Sequence, residues 1–272
     1  MGNMAYTHSN APTPAHANDA KGLQQRLANM RQTNTWRVVS ARACLSAMLS
    51  LWACSVWACE YETISHPHPD GISKRYCGRQ IARVMSWQGA DWLNRPERAQ
   101  EERTDLLIAR LELKPGMTVG DIGAGTGTLT RQMAEKVMPN GKAWAVDIQP
   151  QMVEKLERMA ASLPTGLVQV RQTTATQVNI PDNTLDLAVM VDVYHELEFP
   201  LETLKSLVQA VKPGGQVVFV EYRANDMRVP IKPLHTMTQA QIRREAEFAG
   251  LTYEKTLASL PWQDMLVFKK SK

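Results

Sequence analysis

"VGDIGAGTGTLT", residues 119–130, places four glycines within eight positions, behind a short apolar run and ahead of a stretch with helical spacing. Met117, Val119 and Ile122 form the apolar run after the "KPG" turn at 114–116, and Leu129, Met133 and Val137 recur on one helical face. The glycines therefore sit in a strand–turn–helix connection. Glycine serves there because it tolerates positive φ and lets a ligand reach the main chain. This is the layout of a nucleotide-binding βα turn, with the ligand over the first turn of the helix at the carboxyl end of the strand.

Glycine spacing separates two ligand classes. A dinucleotide turn reads G-x-G-x-x-G and holds a pyrophosphate at the helix N-terminus. Here Gly123, Gly125 and Gly127 alternate, and Thr128 stands where the dinucleotide pattern has Gly or Ala. Asp121 precedes Gly123 by two residues at the end of an apolar strand, where an unpaired carboxylate is costly and repels phosphate. A cationic ligand fits that position better.

The rest of the chain repeats the alternation of strand and helix. "KAWAVD" (142–147) reads as a second strand ending in Asp147, followed by a helix with Pro150 in its first turn and Met152, Val153, Leu156, Met159 and Ala160 on one face. "GLVQVRQ" (166–172) and "NTLDLAVMVD" (183–192) give two more strands. A helix through Leu201, Leu204, Leu207, Val208 and Val211 stops at "KPGG" before the strand "QVVFVEY" (216–222). Thr238 and Gln241 form a capping-box pattern opening the helix "TQAQIRREAEFAG", and "LTYEKTLA" and "WQDMLVFKK" close the chain as strands. Such an order implies an α/β fold with a mainly parallel sheet covered on both faces.

"VGDIGAGTG", "AVDIQPQM", "IPDNTLDLAVMVDVYHEL" and "VKPGGQVVFVEY" resemble, in type, order and spacing, the successive motifs of the class I methyltransferases that use S-adenosylmethionine (SAM), especially the small-molecule branch that includes the quinone C-methyltransferases. The resemblance covers residues 104–270. It implies a Rossmann-like, seven-stranded, mostly parallel sheet with helices on both faces and the last strand antiparallel. It also implies that Gly123, Gly125 and Gly127 line the methionine part of SAM, that Asp121 helps hold its amino group, and that Asp147 holds the ribose with Ile148 against the adenine. Where many members carry an Asp toward the adenine amino group, this chain reads "TTATQ", so Thr174 or the backbone at Ala175 takes that place. Asp192, at the end of the fourth strand, is expected to face the SAM ammonium. His195, just beyond it, is the candidate general base, since its reference pKa is near neutrality; the alternative is a wall residue hydrogen-bonded to backbone.

Charge is unevenly placed. Residues 1–59 hold Lys21, Arg26, Arg31, Arg37 and Arg42 against Asp19, which accounts for the whole net charge of +4 and leaves the remainder neutral. A folded part without basic excess argues against nucleic acid and for a small-molecule methyl acceptor. The expected organisation is a disordered or non-native extension at 1–29, a signal peptide or membrane anchor at 30–59, a linker and helical lid at 60–103, and the SAM-dependent domain at 104–272. The second segment begins with basic residues, then runs uncharged from Ala43 to Ala58, in the order of a bacterial export signal. Cys54 and Cys59 each follow Ala and resemble the cysteine of a lipoprotein signal, although Trp52 and Trp57 stand where that signal has a smaller residue. The expected location is the cell envelope, with residues 43–59 as the membrane contact; a cytoplasmic enzyme is the alternative. With that segment removed only Cys77 is certain to remain, so no disulfide is expected.

"SKRYCGRQIARVMSWQGADWLNRPER" (73–98) reads as lid, with Cys77, Ile81, Val84 and Met85 inward, Arg75, Arg79 and Arg83 at helical spacing on another face, and Tyr76, Trp87 and Trp92 as candidates to cover the site. "HPHPD" (66–70) has two His and one Asp but no further ligand cluster, so no metal is expected. Two functions compete at this point: methyl transfer from SAM to a small molecule, and a non-catalytic SAM- or nucleoside-binding module of the envelope.

Overall fold

The computed structural model describes residues 59–257 and 260–272. The expected signal peptide or membrane anchor, up to Ala58 and with Cys54 included, therefore lies outside the described residues, as does the expected extension at 1–29. The described part forms one compact unit with two sheets.

The larger sheet follows from the strand–helix alternation. In chain order its strands are β4 (Thr118–Ile122), β5 (Lys142–Asp147), β6 (Val168–Gln172), β7 (Leu185–Val191), β8 (Val211–Tyr222), β9 (Leu251–Leu257) and β10 (Gln263–Lys270). Their spatial order is β6-β5-β4-β7-β8-β10-β9; the first five are parallel and β10 runs antiparallel to both neighbours. The chain winds outward from β4 to β6 and then returns to the other side of β4 as β7. That reversal opens a crevice at the carboxyl ends of the strands, where α/β sheets bind ligands.

Helices cover both faces because the buried strands carry apolar residues on both sides. On one face Leu204 and Leu207 of Pro200–Ala210 and Ile242 and Ala246 of Gln239–Phe248 pack on Ile122, Met190 and Phe219. On the other, Leu107 of Thr104–Arg110, Met133 and Val137 of Thr128–Val137, and Leu156 of Pro150–Ala161 pack on Val119, Leu187 and Val218. β8 begins at Val211 and includes "KPGG", which the helical reading of Val211 had placed before the strand. Thr238 does cap Gln239–Phe248, accepting from the Gln241 N–H, but the Gln241 side chain donates instead to the Cys77 carbonyl and Glu245.

The region ahead of the domain departs most from expectation. Residues 61–82 are not a helical lid but a three-stranded antiparallel sheet: β1 (Tyr61–Thr63), β2 (Gly71–Tyr76) and β3 (Arg79–Ala82). The helical reading carries one periodic face straight through Cys77–Gly78, but the chain reverses there. Cys77 (φ 51°) and Gly78 (φ 89°) are both left-handed, the combination that joins two strands by a tight hairpin. Helical structure is confined to short turns at Trp87–Gly89, Ala90–Leu93 and Arg98–Glu101.

The small sheet is tied down twice. Cys59 is disulfide-bonded to Cys77, correcting the expectation of no disulfide and excluding a lipid thioether on Cys59, whose sulfur is already bonded. Both cysteines pack with Tyr76 and Ile81, so Tyr76 is core rather than lid. Arg79 grips Glu245 with two nitrogens (2.7 and 3.1 Å) and donates to the carbonyls of Tyr194 and His195 (3.4 and 3.2 Å). The arginine stripe is thus split: Arg75 pairs with Glu62 and Arg83 donates to the Gly71 carbonyl. Through Arg79 the small sheet fixes the turn that carries His195.

Candidate active site

A cavity of about 500 Å3 lies over the carboxyl ends of β4, β5, β7 and β8. That is within the roughly 300–1,000 Å3 of sites for compact organic ligands. Its floor is the glycine turn. Gly123 (φ 74°) and Gly125 (φ 56°) line it, and a Cβ on either would fall within 2.5 Å of Val193 Cγ2 or 2.8 Å of Leu93 Cδ1. Asp147 closes the turn from the next strand, accepting the Gly125 N–H at 3.0 Å on Oδ2 and the Gln149 N–H at 2.9 Å on Oδ1. Burial raises its pKa despite those bonds. Each oxygen keeps a lone pair for a ligand hydroxyl.

Ile148, Thr174 and Ala175 continue this wall. Thr174 Oγ1 accepts the Gln177 N–H at 3.1 Å, holding its own turn, while its hydroxyl proton remains to be donated. The Ala175 carbonyl accepts from Thr203 Oγ1 at 3.0 Å. Gln149 latches the cover: its side chain accepts from the Trp87 N–H (2.7 Å) and donates to the Met85 carbonyl (3.0 Å). Asn94 accepts from the hydroxyls of Thr126 and Thr128, joining the short helices to the glycine turn. Trp92 and Leu93 reach the cavity from this cover; Trp87 does not line it.

Asp192 lines the cavity at the end of β7 in a left-handed conformation (φ 55°). Its Oδ2 accepts from Gln263 at 2.7 Å, whereas its Oδ1 is buried without a hydrogen bond. Burial, reinforced by Glu102 and Glu221, pushes its pKa well up. A buried carboxylate oxygen without a partner is costly, and a cation bound beside Asp192 in the cavity would offset that cost.

His195 is 2 % exposed, and both its ring nitrogens are engaged. Nδ1 lies 2.5 Å from Glu221 Oε2, and Nε2 lies 3.2 Å from His235 Nδ1. Burial lowers its pKa, but the carboxylate of Glu221, with Glu196 and Asp192 behind it, outweighs burial and raises it. Side chains rather than backbone therefore hold the ring, with Glu221 at Nδ1 and His235 at Nε2.

Two further expectations change. Asp121 is buried and absent from the cavity wall; its Oδ2 accepts from Thr130 Oγ1 at 2.6 Å, binding β4 to the following helix, and burial raises its pKa to about 6. Gly127 is the N-cap of that helix and faces Leu156 and Met159, where a Cβ would come within 2.9 and 2.7 Å. Its bareness serves helix packing, not a ligand. Conversely, Gln149, Glu221 and His235 carry parts of the site that sequence reasoning did not select. Glu221 had a usable signal, a carboxylate ending an apolar strand as in Asp121 and Asp192. His235 had none, because only the fold brings it to His195.

Residues 120–219 match the family model described as a methyltransferase domain. This stretch of the chain carries a methyltransferase domain. Its fold is shared by the SAM-dependent methyltransferase of Aquifex aeolicus, with a TM-score of 0.64 at 23% identity over 68% of this chain and 99% of that one. The domain is 32% identical over 116 residues to the demethylmenaquinone methyltransferase of Symbiobacterium thermophilum, covering 42% of this chain and 46% of the relative. It is also 32% identical over 111 residues to the ubiquinone/menaquinone biosynthesis C-methyltransferase of Ectopseudomonas mendocina, covering 40% and 43%. The chain thus spans less than half the length of these curated relatives; the family match at 120–219 takes in the glycine turn, Asp147, Asp192 and His195, with the small sheet and the cover ahead of it.

Proposed function

We propose that this protein transfers a methyl group from SAM to a small-molecule acceptor. The observation that carries the reading is the pairing of two carboxylates, Asp147, whose oxygens keep lone pairs for hydroxyls, and Asp192, along one cavity above a bare glycine turn. A ligand with a ribose and a cationic amino-acid tail satisfies both carboxylates at once. Asp147 would hold the ribose hydroxyls, Asp192 the ammonium, Ile148 the adenine face, and Thr174 with Ala175 the adenine edge, while Gly123 and Gly125 admit the tail.

SAM supplies a methyl on a positively charged sulfur, already activated for transfer. The chain's own task is then to position the acceptor in line and to keep water out. Trp92 and Leu93, held by the Gln149 and Asn94 latches, exclude water from the cofactor side. His195, Glu196, Lys232 and His235 form the polar wall on which an acceptor is oriented. Incubation with SAM carrying a labelled methyl and a metabolite extract tests the proposal. Label appearing in a small molecule, and lost in Asp192→Asn, supports it; tight binding of S-adenosylhomocysteine without transfer in any extract supports a binding module instead.

We further propose an envelope location. The basic-then-apolar order of 30–59 motivates it, and the Cys59–Cys77 disulfide supports it, since such bonds persist in oxidising compartments. Intact mass of the protein made from its native gene tests this. A shortened, envelope-fractionating chain is expected, and a full-length reduced chain would overturn it.

A further inference from the structure

We propose that His195, Glu196 and His235 form a binding site for a divalent transition-metal ion of the zinc type, on the acceptor wall of the cavity. The three ligand atoms, His195 Nε2, Glu196 Oε1 and His235 Nδ1, are separated by 3.2, 3.2 and 3.8 Å. A tetrahedral ion with bonds of about 2.0–2.1 Å has ligand–ligand edges of about 3.3–3.4 Å. All three side chains line the cavity, so the fourth position opens onto it. Two histidines, one carboxylate and one open position make the donor set of a catalytic rather than a structural metal site.

The surroundings make the same assignment independently. Each histidine turns its other nitrogen to a carboxylate: His195 Nδ1 to Glu221 Oε2 at 2.5 Å, and His235 Nε2 to Asp70 Oδ2 at 3.0 Å. A carboxylate oxygen beside each outward nitrogen favours the tautomer with N–H outward and the lone pair inward, the arrangement that orients metal-ligating imidazoles. Two lone pairs facing each other at 3.2 Å repel unless a cation lies between them. A shared proton could separate two nitrogens, but it gives no reason for a third donor, Glu196 Oε1, itself held by the Met85 N–H at 3.1 Å. Apart from its 3.0 Å ion-pair contact with His235 Nε2, Asp70 Oδ2 is buried without a hydrogen-bond partner, and Lys232 holds the other oxygen at 2.8 Å. The aspartate of "HPHPD" thus supports the site, while His68 turns its Nδ1 to the Asp70 N–H.

Such an ion would take an ionisable oxygen of the acceptor at its open position and hold it as the anion. This substrate class rests on the methyl-transfer reading; metal binding does not. The test is calorimetric titration of chelator-treated full chain with Zn2+, paired with Co2+ absorption spectra. One equivalent is expected, with the intense visible bands of tetrahedral Co2+, abolished in His235→Ala and weakened more than tenfold in Glu196→Gln. Asp70→Asn should weaken binding about 10–100-fold, as outer partners do. His66→Ala should bind as wild type, and each variant is first shown to melt cooperatively. Absence of binding, or binding untouched in His235→Ala, overturns the proposal. Stoichiometric metal with no methyl transfer in any extract would leave the metal site standing and sink the function instead.

Discussion

Asp147→Asn is expected to separate cofactor binding from folding. Asp147 accepts two backbone N–H groups, from Gly125 and Gln149, and keeps lone pairs toward the cavity. Asparagine retains one acceptor oxygen and presents an NH2 where the second backbone donor points. One buried donor is left unsatisfied, a cost of about 1–3 kcal/mol to stability. In the complex, two ribose hydroxyls lose a charged acceptor, which contributes about 2–3 kcal/mol and corresponds to roughly 30–150-fold in affinity. Calorimetry with S-adenosylhomocysteine reads the affinity, and urea denaturation of the free protein reads the stability. A folded variant that binds as tightly as wild type would refute the ribose assignment. A variant that loses stability alone would show that Asp147 serves only to hold the glycine turn.

Gly123→Ala should cost about 2–4 kcal/mol by denaturation, since its Cβ meets Val193 Cγ2 at 2.5 Å at a φ of 74°; an unchanged midpoint would show that the turn is slack. Asp121 binds its proton more tightly when folded, with a pKa of about 6 against an unfolded value of 3.8, so its stabilising contribution is complete below about pH 4 and lost as pH rises through 6. Asp121→Asn lacks that loss, and thermal melts should show its stability relative to wild type improving by about 2–3 kcal/mol between pH 4 and pH 7; a flat difference contradicts this. Cys77→Ser removes a cross-link between residues 18 apart, worth about 3 kcal/mol, so hydrogen exchange at 61–82 should rise while the seven-stranded sheet stays protected.

Much of the domain was legible because its signals are local. The glycine turn, the strand-end carboxylates Asp147 and Asp192, and the alternation of apolar strands with amphipathic helices each follow from neighbouring residues. The small sheet was misread because the helical spacing was carried through Cys77–Gly78, where a left-handed pair turns one strand back into the next. Asp121 was misplaced for a different reason: whether a strand-end carboxylate turns to the ligand or to the helix depends on Thr130, nine residues on, whose hydroxyl captures it. The acceptor wall was least readable. His195, Glu221, His235 and Asp70 come from four separated segments, and no spacing in the chain announces that they meet.

Titration of the wild-type chain with S-adenosylhomocysteine and, separately, with NAD tests the central claim most directly. The cavity described above should bind S-adenosylhomocysteine with one-to-one stoichiometry and should show no measurable NAD binding, since the Asp192 carboxylate repels phosphate and Thr128 stands where a dinucleotide turn has its third glycine. Preferential binding of NAD, or no binding of S-adenosylhomocysteine to folded protein, would contradict the account.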